Sequence, residues 1–433
     1  MLRIAMIGAK GLPATIGGVE RHVEELSTRL AKSGCAVTVY ARPWYTGRAS
    51  WSVRMYQGVR LVSLPSFFTK HLDAISHTLF ATLHACWERY DVYHFHGVGP
   101  ALLAFLPRVL RPRSRVIVTF HCVDRHHAKW GWFARAVLTL GEWAACRFPH
   151  ETITVGETLQ KYCGGRYGRE TTCIPNGVSV AVHNPPHASL TPREGVRSVP
   201  SLEVGGGEGE LFRDILAQFG LVPRKYLLVV SRLVPHKGVH TVITAFRHLK
   251  RERPDLHDLQ LAIVGAPAFT DVYRDELIIL AGCDPHIRFL GQRTGLTLDA
   301  LYANCLAFVH ASASEGLPIV LLEAAAAGAV PVVSDIPEHR EVIHRVGGFH
   351  FRVGDVWDCL AVLEVVIRSS SALPHIGDAI RTAVLKHYDW EEDRATSHYF
   401  FEKTLPDGEI LRTHASRSGS KTMIPGRFKA ILS

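Results

Sequence analysis

The chain has 433 residues, of which 47% are hydrophobic and 21% charged, a balance typical of a globular protein with large cores in two or three domains. Its net charge of +9 suits an anionic ligand, a nucleic acid or an acidic membrane surface equally well. The longest apolar stretch contains Glu323 and is shorter than the roughly 20 residues of a membrane span, and the N-terminus meets glycine and lysine too early for a signal peptide. We therefore expect a cytoplasmic protein that is soluble or at most peripheral on a membrane.

The first half of the chain alternates short β-branched runs with amphipathic stretches. Between the first two runs, Val23, Leu26 and Leu30 recur at helical spacing and Gly34 ends the predicted helix. The runs are continuously apolar and bounded by turn residues, which predicts strands buried on both faces of a parallel sheet. The predicted strands cover residues 3–8, 36–40, 60–64, 91–97, 115–121, 151–156 and 171–177.

The alternation stops at residues 184–220, a Pro-, Gly- and Ser-rich segment that predicts a linker with an irregular insertion and one short helix near its end. It then resumes with predicted strands at 225–232, 259–265, 287–291, 305–312 and 330–335. Two successive arrays predict an α/β protein with two Rossmann-like, doubly wound domains that face a central cleft, at 1–183 and 221–386. Ligands of such sheets bind at the carboxyl ends of the strands, so we expect the site in this cleft.

Nine cysteines are scattered along the chain, several of them within apolar runs. Their number is odd and no pair has CxxC spacing. This pattern predicts reduced, buried thiols in a reducing compartment. The residues after 406 carry most of their charges as Arg and Lys, which predicts a solvated, basic tail or a binding arm.

The segment EGLPIVLLEAAAAG, residues 315–328, carries the strongest chemical signal. It follows a predicted strand and turns into a helix that we expect to begin with Pro318 at its first position, where proline's missing N–H is no loss. N–H groups left free at a helix start bind phosphate well, and here they belong to Gly316, Leu317, Ile319 and Val320. Glu323 lies among apolar residues and needs a partner, which could be the vicinal hydroxyls of a ribose or a nearby arginine.

The segment VVSRLVPHKGVHTVITAF, residues 229–246, places Arg232 and Lys237 on either side of a tight turn after a predicted strand. Two cations at the carboxyl end of a strand form a clamp for a diphosphate. They would also offset the charge that develops on a departing nucleoside diphosphate. An exposed surface pair is the alternative.

Two weaker signals lie in the first half. The loop GAKGLPATIGGVERH does not have the G-x-G-x-x-G spacing of a dinucleotide site, but Gly17 and Gly18 would let the backbone approach a ligand closely; a plain flexible turn is the alternative. His94, His96 and His121 lie at strand ends. A metal site there is disfavoured because no D-x-D motif accompanies these residues, and His121 is either a hydrogen-bond donor to a sugar or a core histidine.

These segments, in this order, resemble the retaining glycosyltransferases of family four, which have the GT-B fold. The resemblance covers roughly residues 1 to 400, and GGVERH, the TFH at 119–121, SRLVPHKG, EGLPIVLLE and SDIPEHRE carry it. The stretches TKHLDAISHTLFATLHA and KWGWFARAVLTLGEWA look closest to bacterial members that build extracellular polysaccharides. Two departures are Cys122, where a small residue such as glycine is expected, and the insertion at 193–210.

The resemblance implies that a hexosyl group passes from a nucleotide diphosphate sugar to a glycan or lipid-linked acceptor, with retention of anomeric configuration and without a metal or other cofactor. It assigns the donor diphosphate to Arg232 and Lys237 and the ribose to Glu323. It places Glu315 and His121 at the transferred sugar, with Gly17 and Gly18 shaping the reaction face. A helix at 387–405 would return to the N-terminal domain, which faces the acceptor.

Three other functions remain open. A nucleotide-sugar epimerase of the same fold would turn over a donor without an acceptor. A scaffold that binds a sugar nucleotide without catalysis has no positive support in the sequence. Nucleic-acid binding rests only on net charge and the basic tail, so we expect no nucleic-acid partner.

Aromatic residues mix with Arg and Lys at 42–51 and 65–71, as they do in an interfacial patch. We therefore predict peripheral contact of the N-terminal domain with an anionic membrane, with ordinary surface loops as the alternative.

Overall fold

The computed structural model describes residues 1–15, 17–69, 72–126, 131–178, 206–268 and 270–390. Within this part of the chain, two separate sheets follow one another, each covered by helices. Residues 179–205, which include most of the predicted linker and insertion, lie outside the described residues. So do residues 391–405 of the helix predicted at 387–405, and the basic tail.

The first sheet has eight strands in the order β3-β4-β2-β1-β5-β6-β7-β8. All neighbouring pairs are parallel except β3 with β4. The strands are β1 Arg3–Ile7, β2 Ala36–Ala41, β3 Ser52–Tyr56, β4 Val59–Ser63, β5 Val92–His96, β6 Arg115–Phe120, β7 Glu151–Thr154 and β8 Thr172–Cys173.

The helices of this half connect the strands and cover the sheet. The predicted amphipathic helix is α1, whose Val23 and Leu30 are fully buried. The helices are α1 Gly18–Lys32, α2 Pro43–Thr46, α3 Asp73–Glu88, α4 Val98–Ala101, α5 Phe105–Leu110, α6 Trp132–Arg147 and α7 Glu157–Tyr167.

The second sheet has six parallel strands in the order β11-β10-β9-β12-β13-β14. They are β9 Tyr226–Val230, β10 Gln260–Val264, β11 Ile287–Gly291, β12 Ala307–His310, β13 Pro331–Ser334 and β14 Phe349–Phe351. Its helices are α8 Gly206–Gln218, α9 Val239–Glu252, α10 Asp271–Ala281, α11 Leu296–Asn304, α12 Ile319–Ala326, α13 Pro337–Val346, α14 Val356–Arg368 and α15 Leu373–His387.

The doubly wound, two-sheet architecture confirms the predicted fold class. Sequence reasoning did not assign β3 and β14. β3 is an antiparallel edge strand whose side chains alternate between exposed and half-buried, so it has no continuous apolar run. β14 has only three residues, one of them fully buried.

After α15 the chain returns to the first half. Tyr388 accepts a hydrogen bond from the Val178 N–H at 2.7 Å, and the Trp390 N–H donates to Val178 O at 3.1 Å. The Trp390 ring lies 5.7 Å from that of His22 in α1. Residues 388–390 therefore link the two halves a second time, beside the end of β8.

None of the nine cysteines forms a disulfide, as predicted. The expectation that they are buried is wrong for Cys283, which is exposed, and holds only in part for Cys122 and Cys173. Cys283 follows α10 in a surface turn and has a positive φ of 57°. It does not lie within an apolar run, as several of the other cysteines do.

Candidate active site

The backbones of the two halves are in close contact at His121 and Gly316. His121 follows β6, and Gly316 lies between β12 and α12. A Cβ atom added at Gly316 would lie 1.7 Å from the carbonyl oxygen of His121, so a larger residue would force the backbones apart. This contact puts the carboxyl ends of the two sheets face to face, where the sequence predicted the cleft.

Glu315 stands at this contact and has two donors on one oxygen. Lys237 forms a very short ion pair with Oε1, and His310 Nε2 lies 2.7 Å from the same atom. Burial alone would raise the pKa of Glu315, but the Lys237 ammonium and then the His310 imidazole outweigh it and hold the pKa well below its usual value. Glu315 is therefore ionised at neutral pH.

Arg232 follows β9 and Ser231 and is half-buried. Its charge lies close enough to Cys122 to act against the burial that raises the pKa of that thiol. Cys122 donates to Asp124 at 3.1 Å. Arg232 and Lys237 thus both lie beside the gap between the halves, and their role as a diphosphate clamp stays a prediction.

The start of α12 differs from the prediction by one residue. The helix begins at Ile319, and Pro318 is the capping residue before it, with an extended ψ of 108°, because a β-region residue carries the chain into the helix. Within the described chain, none of the four predicted N–H groups donates a hydrogen bond to protein. They are those of Gly316, Leu317, Ile319 and Val320.

Glu323 has partners from both halves. Arg21 Nε of α1 lies 3.7 Å from Oε1, and the Tyr302 hydroxyl lies 3.5 Å from Oε2. Burial raises the pKa of Glu323 and Arg21 opposes this effect. Asp299 is buried nearby, and burial followed by the charge of Glu323 raises its pKa to about 7. This geometry is compatible with both predicted partners of Glu323. Arg21 is the arginine near Oε1, and a ribose could still bind to the carboxylate.

Four histidines of the first half form one buried cluster: His22, His94, His96 and His121. His96 Nδ1 lies 3.3 Å from His121 Nε2. Burial, followed by the neighbouring imidazoles, lowers the pKa of His96 and His121 well below the usual value. His121 is therefore neutral at physiological pH and can exchange hydrogen bonds with a hydroxyl without adding charge.

Asn176 joins this cluster to the second half. Its Nδ2 donates to Leu317 O at 2.7 Å, so its Oδ1 must be the acceptor of the 2.9 Å contact with His22 Nδ1. His22 then carries its proton on Nδ1. Burial lowers the pKa of His22 to about 4, so this side chain is neutral as well.

The glycine pair lies at the same opening. Gly17 has a φ of 104° and precedes α1, a conformation that side chains rarely adopt. A Cβ atom at Gly18 would be 3.9 Å from Ile319 Cδ1 of α12. The predicted loop therefore lies directly against the helix start that holds the free N–H groups.

Among the residues that the structure describes, two clusters could hold a metal ion by geometry alone. The nitrogen atoms of His22, His96 and His121 lie within 4.8 Å of one another, as do the ligand atoms of His310, Glu315 and His339. In the second cluster the Lys237 ammonium already forms an ion pair with Glu315. Its positive charge would repel a metal cation at this position. No step of the chemistry below requires a metal.

Most of the predicted site residues thus meet across one gap, but several neighbours were not singled out from the sequence. Arg21 and His22 were part of the quoted GGVERH segment without an assigned role. His310 is the last residue of a buried apolar strand, and that polar residue at a strand end was an available signal. Asn176 and Asp299 had no signal, because their roles depend on contacts between distant segments.

Comparison with known proteins bears on this site. Residues 16–182 match the family model for Glycosyltransferase Family 4, and residues 213–379 match that for Glycosyl transferases group 1. A glycogen synthase of Mycobacterium tuberculosis is 28% identical over 422 residues, covering 90% of this chain and 92% of that protein. A GDP-mannose-dependent α-(1-6)-phosphatidylinositol monomannoside mannosyltransferase of the same organism is 27% identical, covering 90% and 96%.

Solved structures share the whole architecture. The sucrose-phosphate synthase of Thermosynechococcus elongatus superposes with a TM-score of 0.74 at 16% identity, covering 93% of this chain and 99% of that one. Anabaena HepE in complex with UDP and glucose gives a TM-score of 0.71 at 17% identity, covering 93% and 100%. The two facing sheets are therefore the GT-B fold.

A GT-B fold with cations, a carboxylate and free N–H groups across its gap defines the class of nucleotide-sugar glycosyltransferases. The chain belongs to the group 1 glycosyltransferases of family four, which are retaining enzymes that use nucleotide sugar donors. Among the described residues, no helix combines the length and the apolar composition that crossing a bilayer would require.

Proposed function

We propose that this enzyme transfers a hexosyl group from a nucleoside diphosphate hexose to a glycan or lipid-linked acceptor in the synthesis of a bacterial surface polysaccharide. One observation supports the donor side above all. Lys237 and the ionised Glu315 form a pair beside the free N–H groups at the start of α12, which offers a diphosphate and a sugar adjacent places. The acceptor and the pathway rest on the sequence resemblance.

The diphosphate would bind to Arg232, Lys237 and the N–H groups of Gly316, Leu317, Ile319 and Val320. These groups offset the charge that develops on the leaving diphosphate. They need no rearrangement during the reaction because the turns that hold them are packed: a Cβ atom at Gly238, next to Lys237, would lie 2.2 Å from Ala311 O.

The transferred sugar would lie between Glu315 and His121, the two side chains beside the contact of Gly316 with the His121 carbonyl. Glu315 takes two donors on one oxygen and stays ionised. It therefore accepts hydrogen bonds from sugar hydroxyls and is a weak nucleophile. Retention would follow from attack on the same face, with the leaving phosphate taking the proton of the acceptor hydroxyl: the C–O bond to phosphate breaks as the bond to the acceptor forms.

Glu323 would hold the ribose hydroxyls, with Arg21 released from it when the nucleotide binds. The base and the sugar of the donor are open. HepE was solved with UDP and glucose and the mycobacterial mannosyltransferase uses GDP-mannose, so UDP-glucose and GDP-mannose are the first donors to test.

The test is release of nucleoside diphosphate from UDP-glucose, UDP-galactose, GDP-mannose and ADP-glucose, with and without a lipid-linked glycan extract. Acceptor-dependent release from one donor, abolished in Lys237→Ala and kept in Lys225→Ala, is the expected result. Lys225 is a suitable control because it precedes β9 at the opposite edge of the same sheet and is half exposed. A donor consumed without any acceptor, with its sugar epimerised, would favour the epimerase; binding without turnover would favour a scaffold.

We propose also that the first half touches an anionic membrane. Exposed apolar side chains run from the loops near Trp44 and Phe68, whose rings are 5.0 Å apart, along α3 to Trp87. They continue through α5, which packs on α3. Phe105 of α5 and Trp143 of α6 both contact Phe148, which follows α6. Arg108, Arg113, Arg135 and Arg147 are exposed among them, the mixture that favours an interface.

Co-sedimentation with vesicles of phosphatidylcholine, with and without phosphatidylglycerol, checks this second proposal. The protein should sediment with the anionic vesicles at low salt. Replacing Phe67 and Phe68 by serine should weaken sedimentation, whereas Trp357→Ser should not, since Trp357 is equally exposed but lies in the other half. No sedimentation with either vesicle would refute membrane contact.

A further inference from the structure

His310 lies directly behind Glu315 and is more deeply buried than it. It is the last residue of β12 and 1% exposed, whereas the Glu315 side chain is 10% exposed. A carboxylate oxygen only accepts hydrogen bonds, so the 2.7 Å contact requires the proton on His310 Nε2. Burial lowers the pKa of His310 and so favours the neutral ring, and this ring donates to Glu315 from the protein interior.

The imidazole of His310 is fixed on all sides. It stacks on Phe308 with ring centroids 5.8 Å apart and meets His339 edge-on at 5.2 Å. Ser312 Oγ lies 3.0 Å from the same Nε2, where it competes with Glu315 for the single proton and does not orient the ring. His339 is itself held by a 2.7 Å bond from Nδ1 to Ser334 O. A ring packed in this way can hold its partner in one orientation.

Both donors of Glu315 act on the same oxygen. Lys237 approaches Oε1 from the turn after β9, and His310 approaches Oε1 from β12. In the described chain, Oε2 receives no hydrogen bond from protein. Oε1 of the carboxylate is thereby anchored, and Oε2 is left to accept a hydrogen bond from a ligand in the gap beside His121.

We propose that His310 is a positioning residue: with Lys237 it anchors Glu315 Oε1 so that Oε2 accepts hydroxyls of the transferred sugar. This inference rests on the proposed function. It distinguishes the roles of the two groups that bind Glu315. Lys237 also binds the diphosphate, whereas His310 acts only on the binding of the sugar. Loss of His310 should therefore lower kcat/KM for the sugar nucleotide and leave the Kd of the nucleoside diphosphate unchanged.

Three variants test this separation. His310→Phe keeps a ring between Phe308 and His339 but has no N–H, and His310→Leu replaces it if the Phe variant lacks a cooperative melt. His310→Gln places an amide N–H near the position of Nε2. Ser312→Ala is the matched control, because it removes the other group at Nε2 and leaves Glu315 untouched.

The measurements are the Kd of UDP, GDP, ADP, dTDP and CDP by calorimetry, and kcat and KM for UDP-glucose, GDP-mannose and ADP-glucose by nucleotide release. His310→Phe should lower kcat/KM for the active donor about 10- to 100-fold, as expected for one lost bond to a charged group, with the Kd of the matching diphosphate unchanged. His310→Gln should recover most of the loss, and Ser312→Ala should resemble wild type.

A wild-type kcat/KM in His310→Phe and His310→Leu would overturn the inference and leave the proposed function intact. Equal losses of diphosphate affinity and turnover in both, without rescue by Gln, would also overturn it, since that result indicates a purely structural histidine. Wild-type protein that binds none of UDP, GDP, ADP, dTDP and CDP would overturn the proposed function and this inference together.

Discussion

Glu315 and Glu323 lie on the same short segment, yet their surroundings move their pKa values in opposite directions. Lys237 and His310 lower the pKa of Glu315, whereas burial raises that of Glu323 against the opposing charge of Arg21. Glu315 is therefore kept as a permanent anion. Glu323 sits in a site that lacks a full set of donors, which is the situation that ribose hydroxyls would complete.

Replacing Glu323 by glutamine should remove the preference for ribose. Wild type should bind the cognate nucleoside diphosphate about tenfold more tightly than its 2′-deoxy form, because a hydroxyl bond to a charged carboxylate is lost. In Glu323→Gln this ratio should fall towards one. Glu364→Gln is the control, because Glu364 is a half-buried carboxylate of α14 that pairs with Arg368 of the same helix. An unchanged ratio in Glu323→Gln would show that the ribose binds elsewhere.

Asp299→Asn should stabilise the protein in a pH-dependent way. Burial and Glu323 raise the pKa of Asp299 to about 7, so the folded protein holds a proton that the unfolded chain releases from about pH 4 upward. The free energy of unfolding of wild type therefore falls as the pH rises from about 4 to about 7. Above about pH 7 this loss of stability no longer changes with pH.

The variant lacks this cost, so its melting temperature should exceed that of wild type more at pH 8 than at pH 5. The gain is a few kcal/mol at most, since one pKa unit corresponds to about 1.4 kcal/mol. Asp271→Asn, exposed at the start of α10, should show no such trend. An equal gain at both pH values would contradict the raised pKa.

At the scale of elements, the loop between β12 and α12 decides how the halves fit. Gly316 is in contact with the His121 carbonyl, and Gly18 of α1 faces Ile319 of α12. Only the first contact requires a glycine, because the His121 carbonyl leaves no room for a Cβ atom at Gly316. A Cβ atom at Gly18 would be in ordinary van der Waals contact with the Ile319 side chain.

The Gly316→Ala variant should fold, but its two halves should not come together as closely as in wild type. The added Cβ would overlap the His121 carbonyl and separate the sugar-binding groups, and a displacement of about 1 Å can lower turnover roughly 100-fold. Diphosphate affinity should change less than turnover, because the cations lie on one half. Gly164→Ala in α7, where a Cβ meets open space, is the control; normal turnover in Gly316→Ala would mean that the halves need not approach this closely.

The sequence was enough to predict both sheets, because continuously apolar runs such as those of β1 and β9 leave few other structures open. It also indicated Arg232, Lys237, Glu315 and Glu323 as one group, since each lies at or after a strand end. It did not reveal β3, whose alternating pattern resembles a surface loop, or the pairing of Glu323 with Arg21. Contacts of that kind depend on how two distant segments meet, which periodicity does not encode.

At the scale of the whole molecule, the halves are joined by contacts on either side of the gap. On one side Gln292 donates to Thr15 O at 2.5 Å. On the other, Glu341 of α13 accepts from the N–H groups of Glu157 and Thr158 at 2.8 and 2.9 Å. A carboxylate from the second half thus caps α7 of the first half, which favours the closed arrangement.

Glu341→Ala should lower the melting temperature by a few degrees. It removes a helix cap worth about 0.5–2 kcal/mol that also bridges the halves. Glu364→Ala, whose partner Arg368 lies on the same helix, should change it little. An unchanged melting temperature in Glu341→Ala would show that the halves do not depend on this cap in solution.

The most direct test of a donor site at the carboxyl ends of the second sheet is thermal melting with UDP, GDP, ADP, dTDP and CDP. A ligand at 100 times its Kd stabilises the folded state by about 2.7 kcal/mol. We predict that one nucleotide raises the melting temperature of wild type and of Lys225→Ala, and of neither Lys237→Ala nor Glu323→Ala. A cooperative melt that no nucleotide shifts, or a shift that survives in both site variants, would contradict the account.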